Sequence, residues 1–192
     1  MAPLGRDPDL SVLDPAGKDG RLAATLVLLY PGVDGRPYLV LTVRQPTLRA
    51  HSGQISLPGG SRDGDETAEE TARREAYEEV GVDPRQPDVL GRLTPLYIPP
   101  SGFSVTPVVA SLSERPPFVP QEAEVAALLE VPVAALLDPG TRRSSRRSVP
   151  AGAFDVPYFE LAGREVWGAT AMMLAEFAAV LADAYSATGS TT

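Results

Sequence analysis

Cysteine is absent from the 192 residues, so the chain can form neither disulfides nor thiolate metal sites. Basic residues are few: 17 lysines and arginines stand against 25 aspartates and glutamates, for a net charge of −8. That balance argues against broad nucleic-acid binding driven by phosphate neutralisation. No stretch approaches the ~20 apolar residues that a membrane-spanning helix needs, so no membrane partner is expected. The opening MAPLGRDPDLSVLDPAGKDG lacks a basic patch followed by an apolar core; no secretory signal is read there, and a cytoplasmic location is the expectation. No internal repeat or low-complexity array occurs.

What is present fits a globular protein. Apolar residues make up 43% of the chain, which at this length suits one well-buried domain and is short for two. The expected organisation is a loosely held arm over 1–20 with one short helix near Leu10–Leu13, a single domain over 21–185, and a frayed tail over 186–192. The apolar runs Ala23–Tyr30 and Tyr38–Arg44 read as a hairpin of strands covered on both faces. Further strands are predicted over Gln54–Leu57, over Val89–Ile98 with a break at Pro95, and over Phe103–Ser111, with a short edge strand over Tyr158–Leu161. Gln121–Leu129 reads as a short amphipathic helix, and Pro139–Gly152 as a loop. From Trp167 onward Thr170, Ala171, Leu174, Phe177, Ala178 and Leu181 recur at three and four, the stripe of a helix packed on the sheet.

The densest chemistry lies in GSRDGDETAEETARREAYEEVGV, Gly60–Val82. Thr67 followed three residues later by Glu70 is a capping box, Ala68, Ala72, Ala76 and Val80 recur at helical spacing, and Gly81 is a stop signal. The helix should therefore span Ala68–Val80. On it Glu75, Glu78 and Glu79 share one face. Each like-charge pair at that spacing costs about 0.2–0.5 kcal/mol. Such a face can be merely solvated; a divalent cation is the other account, and oxygen-only ligands point to a hard ion, Mg²⁺ or Mn²⁺.

Position by position this stretch resembles the signature box of the Nudix hydrolases: Gly60, Glu66 after five residues, Arg74-Glu75 after seven, apolar Ala76, Glu78-Glu79, Gly81 and apolar Val82. The resemblance implies an α/β fold, the Nudix α/β/α sandwich with a mixed sheet between helices, and hydrolysis of a nucleoside diphosphate linked to another group. It implies that Glu75 and Glu79 are the principal metal ligands, with Glu78 a further ligand or a proton acceptor. Arg74 and Glu66 would be a supporting pair that orients the carboxylates. Glu122 and Glu124 are candidates for one further glutamate at the metal centre, Glu124 preferred because it directly precedes Val125.

The segment LRAHSGQISLPGG, Leu48–Gly60, after Leu41-Thr42, resembles the mark of the coenzyme A pyrophosphatase subfamily, with Leu57 where a phenylalanine is usual. It makes Arg49, His51, Gln54 and Ser56 candidates for contact with the substrate, Arg49 foremost because a guanidinium fork matches phosphate oxygens. The PPSGF link before the Phe103 strand resembles that subfamily's substrate-facing loop. Arg142, Arg143, Arg146 and Arg147 are either a solvated basic loop or, for Arg142 and Arg143, contacts to the 3′-phosphate of coenzyme A. The implied substrate is coenzyme A or a thioester, cut to 3′,5′-ADP and 4′-phosphopantetheine. Other readings are a Nudix enzyme for ADP-ribose or dinucleoside polyphosphates, and a non-catalytic nucleotide-binding module.

Overall fold

The structure is a computed structural model that describes residues 20–46, 53–149 and 152–188. The expected arm, with its helix near Leu10–Leu13, falls outside those residues. β1 (Arg21–Pro31) and β2 (Pro37–Arg44) form the expected hairpin, joined through Leu29↔Leu39 and Tyr30↔Tyr38, but they pair only at the turn end. Beyond it they splay, and two short strands fill the gap. β3 (Ile55–Ser56) pairs with the far half of β2, and β4 (Gly59–Ser61) with the first half of β1. The Pro58-Gly59-Gly60 turn predicted from sequence is thus mostly extended chain. Gly59 has to be a glycine there, because a Cβ would lie 2.4 Å from the Ala24 carbonyl oxygen and 2.6 Å from Thr25 Cα.

After helix α1 (Ala68–Val80) come β5 (Asp88–Arg92), β6 (Leu96–Ile98) and β7 (Phe103–Ser111). β7 runs parallel to β1 from Arg21↔Phe103 to Leu29↔Ser111, and β5 and β6 pair with it antiparallel. The sheet is therefore mixed, as expected. Its other side is closed by β8 (Val125–Pro132), antiparallel to β2. That strand corrects the helix predicted over Gln121–Leu129. The composition of VAALLEV serves either state, and the open edge of β2, with its row of unpaired amides, decides for strand.

α2 (Ala134–Leu137) and a 3-10 turn (Pro139–Thr141) lead to a second, three-stranded sheet of β9 (Arg142–Val149), β10 (Gly152–Leu161) and β11 (Arg164–Trp167), with β10 central. The loop expected at Pro139–Gly152 is a strand, and the Tyr158–Leu161 segment is part of a central strand, not an edge. Cross-strand partners explain both: Arg143 pairs with Glu160 at 3.0 Å, and Arg147 stacks on Trp167 at 4.3 Å. An arginine and serine run shows no apolar alternation, so these partners are invisible locally.

α3 (Gly168–Thr188) follows and runs three residues into the expected tail. By length and composition alone Gly168–Ala187 is long and apolar enough to cross a membrane, a property that a helix packed on a core shares. Its predicted stripe is real: Thr170, Ala171, Leu174, Phe177 and Ala178 are buried.

Two cores result, one on each face of the main sheet. Leu26, Leu28, Tyr30, Val40, Val108 and Ala110 pack with Ala72, Ala76 and Val80 of α1. Val27, Leu39, Leu41, Val105 and Val109 pack with α3 and with Phe159, Leu161 and Val166 of the second sheet. Burial on both faces is what the near-continuous apolar runs of β1 and β2 require.

Candidate active site

α1 begins and ends where its sequence signals place it. The Thr67 hydroxyl accepts from the Glu70 amide, the Glu70 carboxylate accepts from the Thr67 amide, and Gly81 closes the helix at φ 76°. This phasing turns Ala72, Ala76 and Val80 into the core. Residues one position earlier, Glu75 and Glu79, then lie at the margin of that stripe and face β4. Gly60 of β4 leaves the room Glu75 needs, since a Cβ there would sit 2.5 Å from Glu75 Oε2.

Glu79 is 5% exposed. Its Oε2 accepts the Gly59 amide at 3.3 Å, and its Oε1 lies 4.0 Å from Arg44 Nη1. Burial pushes its carboxyl up to about 7, the Gly59 hydrogen bond and Arg44 opposing, Glu75 and Glu124 adding to the rise. Glu75 is also raised, first by burial and then by Glu78 and Glu124, against the pull of Arg74. Glu124 contributes to the rise of both carboxyls, and its segment reaches α1 through the Gln121 amide, which donates to the Glu79 carbonyl at 2.9 Å. β2 and β8 carry it there, with the Gln45 amide donating to the Glu124 carbonyl at 2.8 Å.

Arg74 is the organiser. Its Nε and Nη2 grip Glu66 at 2.8 and 3.1 Å, Nη2 also reaches the Ser61 carbonyl at 2.8 Å, and Nη1 reaches Glu75 at 2.8 Å and Glu78 at 3.1 Å. Glu66 also accepts from the Asp63 amide and the Thr71 hydroxyl. The Arg74 fork holds its carboxyl down at about 2, while Glu66 in turn raises Arg74. Arg74 and Glu66 thus form a brace between β4 and α1.

Whether a divalent cation fits can be judged from the donor set. Glu66, Glu75, Glu78, Glu79 and Glu124 are acceptor-only groups, and the guanidinium groups of Arg44 and Arg74 do not neutralise them all. Among the described residues no three acidic side chains are already closed around one point. Arg74 nevertheless takes only Oε1 of Glu75, and Glu79 keeps one long hydrogen bond for a buried carboxylate. Hard oxygen donors, excess negative charge and incomplete pairing suit Mg²⁺ or Mn²⁺, with Glu75, Glu79 and Glu78 as the groups that would hold it.

The other predicted residues divide. Arg49 and His51 lie outside the described residues. Gln54 directs its backbone carbonyl to the Arg44 amide at 2.9 Å, and the Ser56 hydroxyl is 3.1 Å from that of Thr42, so both help tie β3 to β2. Glu122 offers its carbonyl to Gln45 Nε2 at 2.8 Å. Arg142 donates to the Leu136 carbonyl and lies 5.8 Å from the Phe159 ring, while Arg143 is paired with Glu160. Arg44 was missed from sequence. As the last residue of a buried strand it gives no local sign that it will meet Glu79.

A family model of the NUDIX domain matches residues 20–151. Among curated proteins the chain is similar to the mitochondrial Nudix hydrolase 15 of Arabidopsis thaliana, 35% identical over 94% of this chain and 63% of that one. It is also similar to the uncharacterized Nudix hydrolase NudL of Cronobacter sakazakii, 39% identical over 74% of each. The chain spans 63% and 55% of the length of the two Arabidopsis Nudix hydrolases it matches. Among solved structures, the Nudix hydrolase RenU of M. smegmatis aligns with a TM-score of 0.51 at 31% identity, over 59% of this chain and 71% of that one.

Proposed function

Because this chain belongs to the Nudix domain family, we propose that it is a divalent-metal-dependent pyrophosphohydrolase that cleaves the diphosphate bridge of coenzyme A or its thioesters. The products would be 3′,5′-ADP and 4′-phosphopantetheine or its acyl form. The observation that carries the hydrolase reading is the incompletely neutralised pair Glu75 and Glu79, with Glu78 and Glu124 beside it. The coenzyme A reading is supported by the segment Leu48–Gly60, which runs directly into the box.

In this mechanism Mg²⁺ or Mn²⁺, when bound, lowers the pKa of water and screens the charge of the diphosphate. Glu75 would present from α1 the oxygen that Arg74 does not take, Glu79 would present the Oε1 that only Arg44 faces at 4.0 Å, and the absent side chain of Gly60 leaves room for Glu75. The Arg74 and Glu66 brace fixes the carboxylate rotamers. Water attacks one phosphorus, the bridging P–O bond breaks, and the proton of the water passes to a carboxylate. Glu124 suits that role better than Glu78. Glu78 is already engaged by Arg74, whereas no hydrogen bond or ion pair of the Glu124 carboxylate is found among the described residues. Arg44, 4.0 Å from Glu79 Oε1, would meet a phosphate oxygen that approached from the β2 side.

The test is to incubate the protein with coenzyme A, ADP-ribose and a dinucleoside polyphosphate, with and without Mg²⁺, and identify the products. Metal-dependent release of 3′,5′-ADP is the expected result, with Glu79→Gln folded but slower by a factor of a hundred or more. Hydrolysis of only the other two compounds would keep the hydrolase and discard the substrate. No hydrolysis of any of them would leave a binding module.

A further inference from the structure

Beyond the carboxylate site, the N-terminal end of β1 holds a cavity of about 380 Å³ lined by Arg21, Leu22, Ser61, Arg62, Gly64, Asp65 and Phe103. A second, of about 290 Å³, adjoins it through Leu22, Arg62 and Asp65 and reaches the start of α1. Three strand ends build the first one. Arg21 pairs in register with Phe103 of β7, and the Arg62 amide donates to the Leu22 carbonyl.

The two arginines are prepared differently. The Arg21 guanidinium stands over the Phe103 ring, 4.2 Å from its centre, and donates Nη2 to the Ser101 carbonyl at 2.9 Å, with no other hydrogen bond of its side chain among the described residues. Arg62 has a buried Nε without a hydrogen-bond partner among the described residues, and its nearest carboxylate, Asp65, stands off at 3.9 Å with its own side chain in solvent. A buried guanidinium N–H without an acceptor is costly, and two forks at one cavity match the oxygens of a tetrahedral dianion.

We propose that this cavity is a phosphate-binding subsite, in which Arg21 and Arg62 take a phosphate monoester and Ser61 supplies a further donor. The phosphate can come from free solution or from a substrate whose diphosphate lies at Glu75. The Ser61 carbonyl accepts from Arg74, which also binds Glu75, so a single side chain separates the two places. The second source rests on the coenzyme A reading above and assigns the 3′-phosphate to Arg21 and Arg62. Arg142 and Arg143 already have intramolecular partners.

The decisive measurement is titration of the full chain with inorganic phosphate and with 3′,5′-ADP in EDTA, so that no turnover is needed and an inactive enzyme does not affect the outcome. Saturable binding that weakens about tenfold in Arg62→Gln, and likewise in Arg21→Gln, is expected. The exposed Arg21 variant keeps the test valid if Arg62→Gln fails to fold. Equal binding by both variants and the parent, or no binding by the parent, overturns the subsite. The source follows from kinetics. If the substrate supplies the phosphate, the KM ratio of coenzyme A to its dephospho form changes about tenfold in Arg62→Gln. If free phosphate is the ligand, the titration effect persists while that ratio stays fixed.

Discussion

Gly59 and Gly60 are adjacent, yet a methyl group added to each would meet a different kind of neighbour. At Gly59 it strikes the backbone of β1, which cannot retreat, so Gly59→Ala should lose about 1–3 kcal/mol in urea unfolding. At Gly60 it strikes only the tip of Glu75, a side chain free to rotate away. Gly60→Ala should therefore unfold within about 1 kcal/mol of the parent while losing at least tenfold in hydrolysis, a cost of about 1.4 kcal/mol in the barrier. Glu66 gives a second measurement. Arg74 lowers its carboxyl from 4.5 to about 2 in the folded chain. A depressed folded pKa means that the stabilisation is complete above 4.5 and is lost as pH falls from there through 2. Glu66→Gln should be less stable than the parent at pH 7, and the two unfolding midpoints should draw together across that window. The pairing of Glu66 with Arg74 was legible because the box spacing names both by position; the spacing names Gly60 too, but it pointed to a turn and not to the room that Glu75 needs. Arg44 was not, since its meeting with Glu79 depends on β2 being carried past α1, which no local pattern encodes.

At the scale of elements, legibility followed how locally each one is determined. α1 carries its own cap, its own stop and an alanine seam, and its predicted bounds coincide with those observed. β8 and β9 have no such internal signals. β8 is a strand because β2 needs a partner, and β9 because β10 offers Glu160 and Asp155 to its arginines. α3 lies between these cases, with a clear stripe but no capping box. Its contribution is open to measurement. Leu174 is fully buried between α3 and the sheet, whereas Met172 is 44% exposed. Leu174→Ala should cost about 2–5 kcal/mol in urea unfolding, and Met172→Ala less than about 0.5 kcal/mol. Equal losses would mean that the outer face of α3 is covered in solution.

For the whole molecule the governing quantity is charge. A net −8 would work against the proposed diphosphate substrate, and the carboxylates beside Glu79 add to that field at the proposed site. The proposed divalent cation at Glu75 and Glu79 would offset that charge locally, and it would also bind the folded chain more tightly than the unfolded one, in which these groups are scattered. Linkage then predicts stabilisation by about 2.7 kcal/mol when the ion is present at a hundred times its Kd. For a chain of this size that is a rise in Tm of about 5–11 °C. General screening of −8 would also raise Tm, so the measurement is the difference between MgCl₂ and NaCl at equal ionic strength. The excess should be present in the parent and absent in Glu79→Gln. A rise that NaCl reproduces in full would remove the metal from the carboxylate site, because site binding depends on the geometry of Glu75 and Glu79 and screening depends only on the total charge.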